Sequence, residues 1–192
     1  LYTGALWPIF LEENYGPNTV RKTWEKMGSI PGNNVIATID SSLTQNHSSS
    51  LRESLKQYAV WRFFTGTRAD AYHFSEGATY PTSIELATHS NYYFIDTQDP
   101  YVPVTRGGMN FFILSGTPPA LYINFNGNEV IDWDVIVIGF RSGAISYQVE
   151  MSLDSFQLGT MNVRKAGTDY LAVMPVNSDT RHQSELGGSY GV

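Results

Sequence analysis

The spacing of apolar residues changes once along this chain, and that change constrains the fold more than any other feature. Before about Tyr80, apolar residues recur every three or four positions, as on one face of an α-helix. After Tyr80 they alternate with polar residues, and turn residues recur about every ten positions. The two patterns predict an α+β protein, with a helical domain at residues 1–78 and an antiparallel β-sandwich or jelly-roll-like domain at residues 79–192.

Two helices are predicted before residue 28. The first contains an apolar stripe and ends at Gly16, because glycine adopts the left-handed backbone conformation that terminates helices. Pro17 then suits the first turn of the next helix. Val20, Trp24 and Met27 follow at positions i, i+4 and i+7, so they predict the buried face of the second helix.

Two further helices are predicted after a loop at residues 28–34. The third contains apolar residues from Val35 to Leu43. The fourth begins at Ser50-x-x-Glu53, a capping box in which the hydroxyl and the carboxylate bind free backbone amides. It continues to about Thr65–Gly66.

The second domain is predicted to contain short strands. They are Met109–Leu114, Leu121–Phe125, Val135–Phe140, Ile145–Met151, Met161–Arg164 and Tyr170–Val176. Asn126–Gly127 predicts a hairpin turn after the second of these strands, because both residues tolerate positive φ. The nearly continuous apolar run DWDVIVIGF predicts a strand in the middle of a sheet.

Charge and composition exclude several classes of protein. The net charge is -6 and the 12 Lys and Arg residues form no basic stripe, which argues against nucleic acid as a partner. No apolar run approaches about 20 residues, so no membrane span is predicted. The chain has no cysteine, which excludes disulfides, thiol catalysis and Cys-ligated metals. Only 16% of residues are charged, a balance that suits a β-rich extracellular surface.

Histidine spacing gives only a weak metal signal. The four histidines are His47, His73, His89 and His182. His73-x-x-Glu76 and His182-x-x-Glu185 resemble ligand pairs on one helix face, but a zinc site needs three or four convergent ligands. We therefore interpret these histidines as loop or surface residues and predict no metal-binding residue.

A second cluster offers oxygen ligands at alternate positions, as calcium loops do. Its members are Asn124, Asn126, Asn128, Glu129, Asp132 and Asp134. A calcium loop prefers several carboxylates, and turn chemistry alone explains Asn126–Gly127. Calcium therefore stays an alternative to a simple turn.

Motifs for nucleophilic and phosphate chemistry are missing from the sequence. There is no Gly-x-Ser-x-Gly elbow, and neither Gly107–Gly108 nor Gly187–Gly188 is followed by the Lys of a phosphate-binding loop. The sequence consequently predicts no catalytic and no cofactor-binding residue.

Aromatic residues divide into predicted core and predicted surface. Core packing is predicted for Trp7, Trp24, Trp61 and Trp133. A platform for a sugar or a protein strand is the alternative to core packing for Tyr92, Tyr93, Phe94, Tyr101 and Tyr122.

Several segments together resemble one protein family. They are YTGALWPIFLEENYG, YAVWRFFTGTR, SEGATYP, ALYINFNG and DWDVIVI. They resemble the region that follows the zinc-binding helices in a secreted bacterial zinc-metalloprotease family with the motif HExxH. The resemblance implies an extracellular location, a C-terminal β-sandwich, and zinc held by two His and one carboxylate upstream of Leu1. No residue of this chain matches the HExxH motif, so no catalytic role is transferred.

These observations favour a non-catalytic structural or interaction portion of a metalloprotease-like protein. Unpaired β-edges would let copies associate into an oligomer or filament. Both ends of the chain, from Leu1 to the final SELGGSYGV, are interpreted as cuts in a longer precursor. One alternative is the C-terminal half of an active zinc peptidase whose HExxH half is a separate or missing segment. Another alternative is a carbohydrate- or protein-binding sandwich.

Overall fold

A computed structural model describes residues 3–29, 35–84, 87–89, 104–115, 120–164, 167–181 and 190–191. The chain divides into two units, one of Leu1–Ser83 with Thr180–His182 and one of Ile84–Asp179 with Gln183–Val192. The first contains the helices and the second contains the strands. The protein is thus of the mixed α+β class.

The described residues of the first unit form four α-helices, as predicted. They are α1 (Thr3–Tyr15), α2 (Thr19–Ser29), α3 (Val35–His47) and α4 (Leu51–Phe63). Gly16 separates α1 from α2 with a φ of 109°, a value that favours glycine. The Ser50 hydroxyl caps α4 by accepting the amide hydrogen of Glu53 at 3.1 Å.

Aromatic rings form the centre of the helical core. Phe10 is fully buried, and its ring centroid lies 5.5 Å from Trp7, 5.3 Å from Tyr58 and 5.2 Å from Trp61. These tilted and edge-to-face contacts join α1 to α4. Trp7 and Trp61 are half-buried.

The buried face of α2 differs from the predicted one. Trp24 is 66% exposed, so its prediction as a core residue was wrong. Thr19 and Thr23 are buried instead. The Thr23 hydroxyl donates to the Thr19 carbonyl at 2.9 Å and lies 3.1 Å from the hydroxyl of Ser42 on α3. Small polar side chains with satisfied hydrogen bonds therefore take the interface that the apolar stripe was predicted to fill.

In the described ranges of the second unit, eight strands form two sheets. They are β1 (Ala87–His89), β2 (Phe112–Ser115), β3 (Ala120–Gly127), β4 (Trp133–Arg141), β5 (Ala144–Met151), β6 (Leu158–Arg164), β7 (Tyr170–Asn177) and β8 (Tyr190–Gly191). One sheet has the order β1-β2-β7-β4-β5, and the other has the order β6-β3-β8. All described pairs are antiparallel except β1 with β2.

The two sheets share one buried apolar cluster. It contains Phe112, Val135, Val137, Leu171 and Val173 from the first sheet and Ile123, Phe125 and Val163 from the second. Every residue of β4 from Trp133 to Phe140 is buried. The prediction that DWDVIVIGF lies inside a sheet is confirmed, since β4 lies between β7 and β5.

The hairpin predicted at Asn126–Gly127 was wrong. Both residues belong to β3, which pairs with β6 and β8 and not with β4. The turn follows them, where the Ile131 amide donates to the Asn128 carbonyl at 3.1 Å, and the chain crosses to the other sheet. A Cβ at Gly127 would lie 2.6 Å from Cδ1 of Trp133, so close packing explains this glycine.

A two-residue hairpin occurs instead between β4 and β5. Its turn residues Ser142 and Gly143 have φ values of 52° and 79°. Positive φ at both positions matches the right-handed twist of the paired strands.

Candidate functional site

The outward face of β3 and β6 carries a row of exposed side chains beside an open groove. Directly opposite each other lie Tyr122 and Asn162, Asn124 and Thr160, and Asn126 and Leu158. We call these six residues the β3–β6 strip. Alternation along β3 directs Ile123 and Phe125 to the core and the strip residues to the surface, so Tyr122 is 70% exposed.

A groove of about 640 Å³ lies along the Asn124–Thr160 and Asn126–Leu158 pairs of this strip. It is open to solvent on one side and is lined by Asn124, Phe125, Asn126, Ser152, Leu153, Asp154, Leu158, Gly159 and Thr160. The Asn124 side-chain oxygen accepts a hydrogen bond from the Thr160 hydroxyl at 3.0 Å, which orients the Asn124 amide group. The groove therefore presents neutral amide and hydroxyl groups and the Asp154 carboxylate beside apolar surface.

Asp154 lines the groove and stabilises the turn between β5 and β6. Its Oδ1 accepts the amide hydrogens of Phe156 and Leu158, each at 2.9 Å. Its backbone amide donates to the Leu158 carbonyl at 2.9 Å. The Gln157 side-chain oxygen accepts the Trp133 amide at 3.0 Å, which fixes the turn to the start of β4. This turn therefore fixes the backbone at Phe156, whose side chain is 61% exposed.

The histidines that the structure describes do not converge on a metal site. His73 lies in a loop, where its Nδ1 is 2.7 Å from Oδ1 of Asp70 and its ring stacks on Phe64 at 4.1 Å. His73 is only 10% exposed, whereas Glu76 is exposed. Among the described residues, no three His, Asp or Glu side chains lie close enough together to hold a metal ion.

His47 is held between α1 and α2. Its Nε2 lies 3.2 Å from the Thr19 hydroxyl, and its ring lies 5.1 Å from that of Tyr15. Burial, and secondly the positive charge of Lys22, lowers the pKa of His47 below 6.5. His89 lies in β1. His182 and Glu185 lie outside the described residues.

The structure separates the oxygen ligands of the possible calcium loop. Asn124 and Asn126 lie on β3, whereas Asp134 lies on β4 in the other sheet and is buried. The Asn128 side-chain oxygen accepts the Val130 amide at 3.1 Å, as in a turn. The Asp132 carbonyl accepts the Ser178 amide at 3.0 Å. Asn128 and Asp132 therefore stabilise the connection between β3 and β4.

The predicted aromatic platform is represented by Tyr122 alone among the described residues. Tyr92, Tyr93, Phe94 and Tyr101 lie outside them. Trp133, by contrast, is 1% exposed, which confirms its prediction as a core residue.

Sequence reasoning missed Thr160, Asn162, Asp154 and Phe156 as parts of this surface. The alternation that exposes Tyr122 was visible, but the partners of Tyr122 depend on the pairing of β3 with β6. That pairing was hidden because Asn126–Gly127 indicated β4 as the neighbour.

Comparison with protein families, with characterised proteins and with solved structures found no match to this chain. None of the helices in the described ranges has the length and apolar character needed to cross a bilayer. The helices and sheets alone define the class, a mixed α+β protein.

Proposed function

We propose that this chain is a non-catalytic interaction module that associates with copies of itself through the edge of β5. The observation that carries the proposal is the exposure of this strand. Within the described residues β5 pairs with β4 on one side only. It is eight residues long, and six of them are exposed, including Ile145 and Val149 at 39% each. An exposed strand at the end of a sheet is a template for another strand.

The side chains of β5 favour pairing with a strand of another molecule, because they lack the features that usually prevent it. Exposed edges are usually protected by lysine, proline or inward-pointing charges. The strand AISYQVEM has no lysine or proline, and Glu150 is its single charge. A register shift in the β4–β5 pair occurs near the hairpin, between Gly139 and Phe140. Tyr147–Met151 continues in regular register with β4 beyond it.

Pairing of β5 with the same strand of a second copy would be antiparallel about a two-fold axis. Such an interface uses the same surface on both copies and closes into a dimer. A filament would require a second, different edge, and β6 at the end of the other sheet is the candidate. The dimer is therefore the first assembly to test.

The proposal includes a β-sandwich architecture for the strand unit. Its support is the single apolar cluster to which both sheets contribute side chains. It also includes secretion and descent from a metalloprotease-like protein, supported by the segments YAVWRFFTGTR and DWDVIVI. An HExxH motif in a precursor upstream of Leu1 would test the ancestry independently of the assembly.

Sedimentation velocity over a range of concentrations tests the association. We expect a reversible dimer for the unaltered chain. Val149→Lys should give a monomer, because a buried lysine at the new interface would lose its hydration. Val149→Thr is the matched control, since it keeps a β-branched side chain and should still dimerise. Circular dichroism verifies that both variants fold.

Two results would contradict the proposal. One is a monomer at every concentration of the unaltered chain. The other is a dimer that Val149→Lys leaves unchanged while the variant remains folded.

A further inference from the structure

We propose that the β3–β6 strip binds a neutral oligosaccharide, with Tyr122 as the ring on which a sugar stacks. This inference is independent of self-association, because the strip lies on the face of one sheet and β5 is the edge of the other. Its starting point is the combination of an exposed aromatic ring with a row of neutral hydrogen-bonding side chains on the same face of one sheet.

The geometry of the strip suits an extended ligand. Side chains directly opposite each other in an antiparallel pair are about 5 Å apart. Successive pairs along the strands are separated by two residues, or about 7 Å. From the Tyr122–Asn162 pair to the Asn126–Leu158 pair the strip is about 13 Å long. That length accommodates a short chain of sugar rings lying along the strands.

The chemistry of the strip suits hydroxyl-rich ligands. Asn124, Asn126, Thr160 and Asn162 are all exposed, and each side chain can both donate and accept hydrogen bonds. Sugar hydroxyls also do both, so they can pair with these groups without a net charge. The Tyr122 ring offers an apolar face to the C–H groups of a sugar ring, and its hydroxyl remains in water.

A second aromatic ring lies beyond the other end of the strip. Phe156 is 61% exposed although it belongs to a turn whose backbone is fixed by Asp154. Asp154 and Leu158, which flank Phe156, both line the groove. Phe156 therefore offers a second exposed aromatic ring, next in sequence to residues that line the groove.

Other ligand classes fit the strip less well. A polyanion such as nucleic acid is disfavoured by the chain's net charge of -6 and by the Asp154 carboxylate at the groove. An extended peptide gains its affinity from backbone hydrogen bonds at a sheet edge, whereas the strip is on a face. A drug-sized apolar molecule needs an enclosed pocket, and this groove is open.

A printed array of neutral and anionic glycans tests the proposal, followed by calorimetry with the neutral oligosaccharides that are retained. We expect retention of neutral glycans. Tyr122→Ala should weaken their binding about tenfold or more, and Tyr122→Phe, which keeps the ring, should bind nearly as well as the unaltered chain. Phe156→Ala should also weaken binding.

Tyr72→Ala is the matched control, because Tyr72 is 86% exposed but lies in the helical unit. It should leave affinity unchanged. The proposal is overturned if no neutral glycan is retained or if only anionic glycans bind. It is equally overturned if Tyr122→Ala, verified as folded by its melting temperature, binds as tightly as Tyr72→Ala.

Discussion

Asn177, the last residue of β7, forms hydrogen bonds with residues 104–108 before β2. Replacing Asn177 should therefore destabilise the strand unit. The residue is fully buried. Its Nδ2 donates to the Val104 carbonyl at 3.0 Å, and its Oδ1 accepts the Asp179 amide at 3.3 Å. Its backbone also bonds this segment, because its carbonyl accepts the Gly107 amide at 2.9 Å and its amide donates to the Gly108 carbonyl at 3.0 Å.

The expected cost of Asn177→Ala follows from these contacts. The substitution removes the side-chain hydrogen bond to the buried Val104 backbone and leaves a small cavity. A buried polar group that loses its partner costs about 1–3 kcal/mol. The bond to Asp179 is longer and should add less, so we expect a total loss of about 2–4 kcal/mol in the free energy of unfolding. Asn177→Asp should cost more, about 3–5 kcal/mol, because it buries a negative charge beside the Val104 carbonyl.

Urea denaturation followed by far-UV circular dichroism measures these losses, and hydrogen exchange of the β7 amides localises them. Asn162→Ala is the control, because Asn162 is exposed on β6 and should change stability by no more than about 0.5 kcal/mol. A loss below about 1 kcal/mol for Asn177→Ala would refute the reasoning, since that is less than one unsatisfied buried group costs. So would an Asn177→Asp variant as stable as Asn177→Ala.

Two further predictions concern the helical unit. Gly66→Ala should lower the free energy of unfolding by about 3 kcal/mol, because Gly66 has a φ of 60° and a Cβ there would lie 2.6 Å from the backbone nitrogen of Thr82. Gly16→Ala places its Cβ where no atom lies within 4 Å, so it should lower the free energy of unfolding by only about 1 kcal/mol in the same urea assay. Equal losses for the two variants would contradict this reasoning. Burial raises the pKa of Tyr58 above 10.0, so the folded state favours the neutral phenol and stability is lost as pH rises above 10.0. Tyr58→Phe should reduce that alkaline loss in melting temperature, whereas Tyr72→Phe, at an 86% exposed site, should not; identical pH profiles for the two variants would contradict the assignment.

Local signals predicted the helical unit well. Gly16 and the Ser50 cap act within a few residues, so these two helix boundaries could be placed from the sequence. Pro17 was predicted to lie in the first turn of α2, but α2 begins at Thr19, and α4 ends at Phe63, before the predicted Thr65–Gly66. Trp24 shows where this reasoning fails. A stripe of apolar residues indicated one face of α2, but hydrogen-bonded Thr19 and Thr23 fill the interface with α3, and no periodicity rule identifies a polar contact of that kind.

Strands were predictable, but their neighbours were not. Each strand is defined by local alternation, whereas the pairing of β3 with β6 depends on packing between distant segments. Asn126–Gly127 was misleading because Gly127 is required by its close approach to Trp133 and not by a turn. The candidate sugar-binding strip could not be assembled from sequence for the same reason, since half of its residues lie on β6.

The position of β7 has a consequence for how the strand unit is made. β7 lies between β2 and β4 in the sheet although it follows both in the chain. During synthesis, β4 and β5 can form their hairpin early, but β2 has no neighbour linking it to β4 until residues 170–177 emerge. The nascent chain therefore carries the apolar strand β4 with one unpaired edge from the synthesis of Arg141 until Asn177 has been added. Folding of this unit is then a late, cooperative step that depends on distant contacts, and such topologies fold slowly.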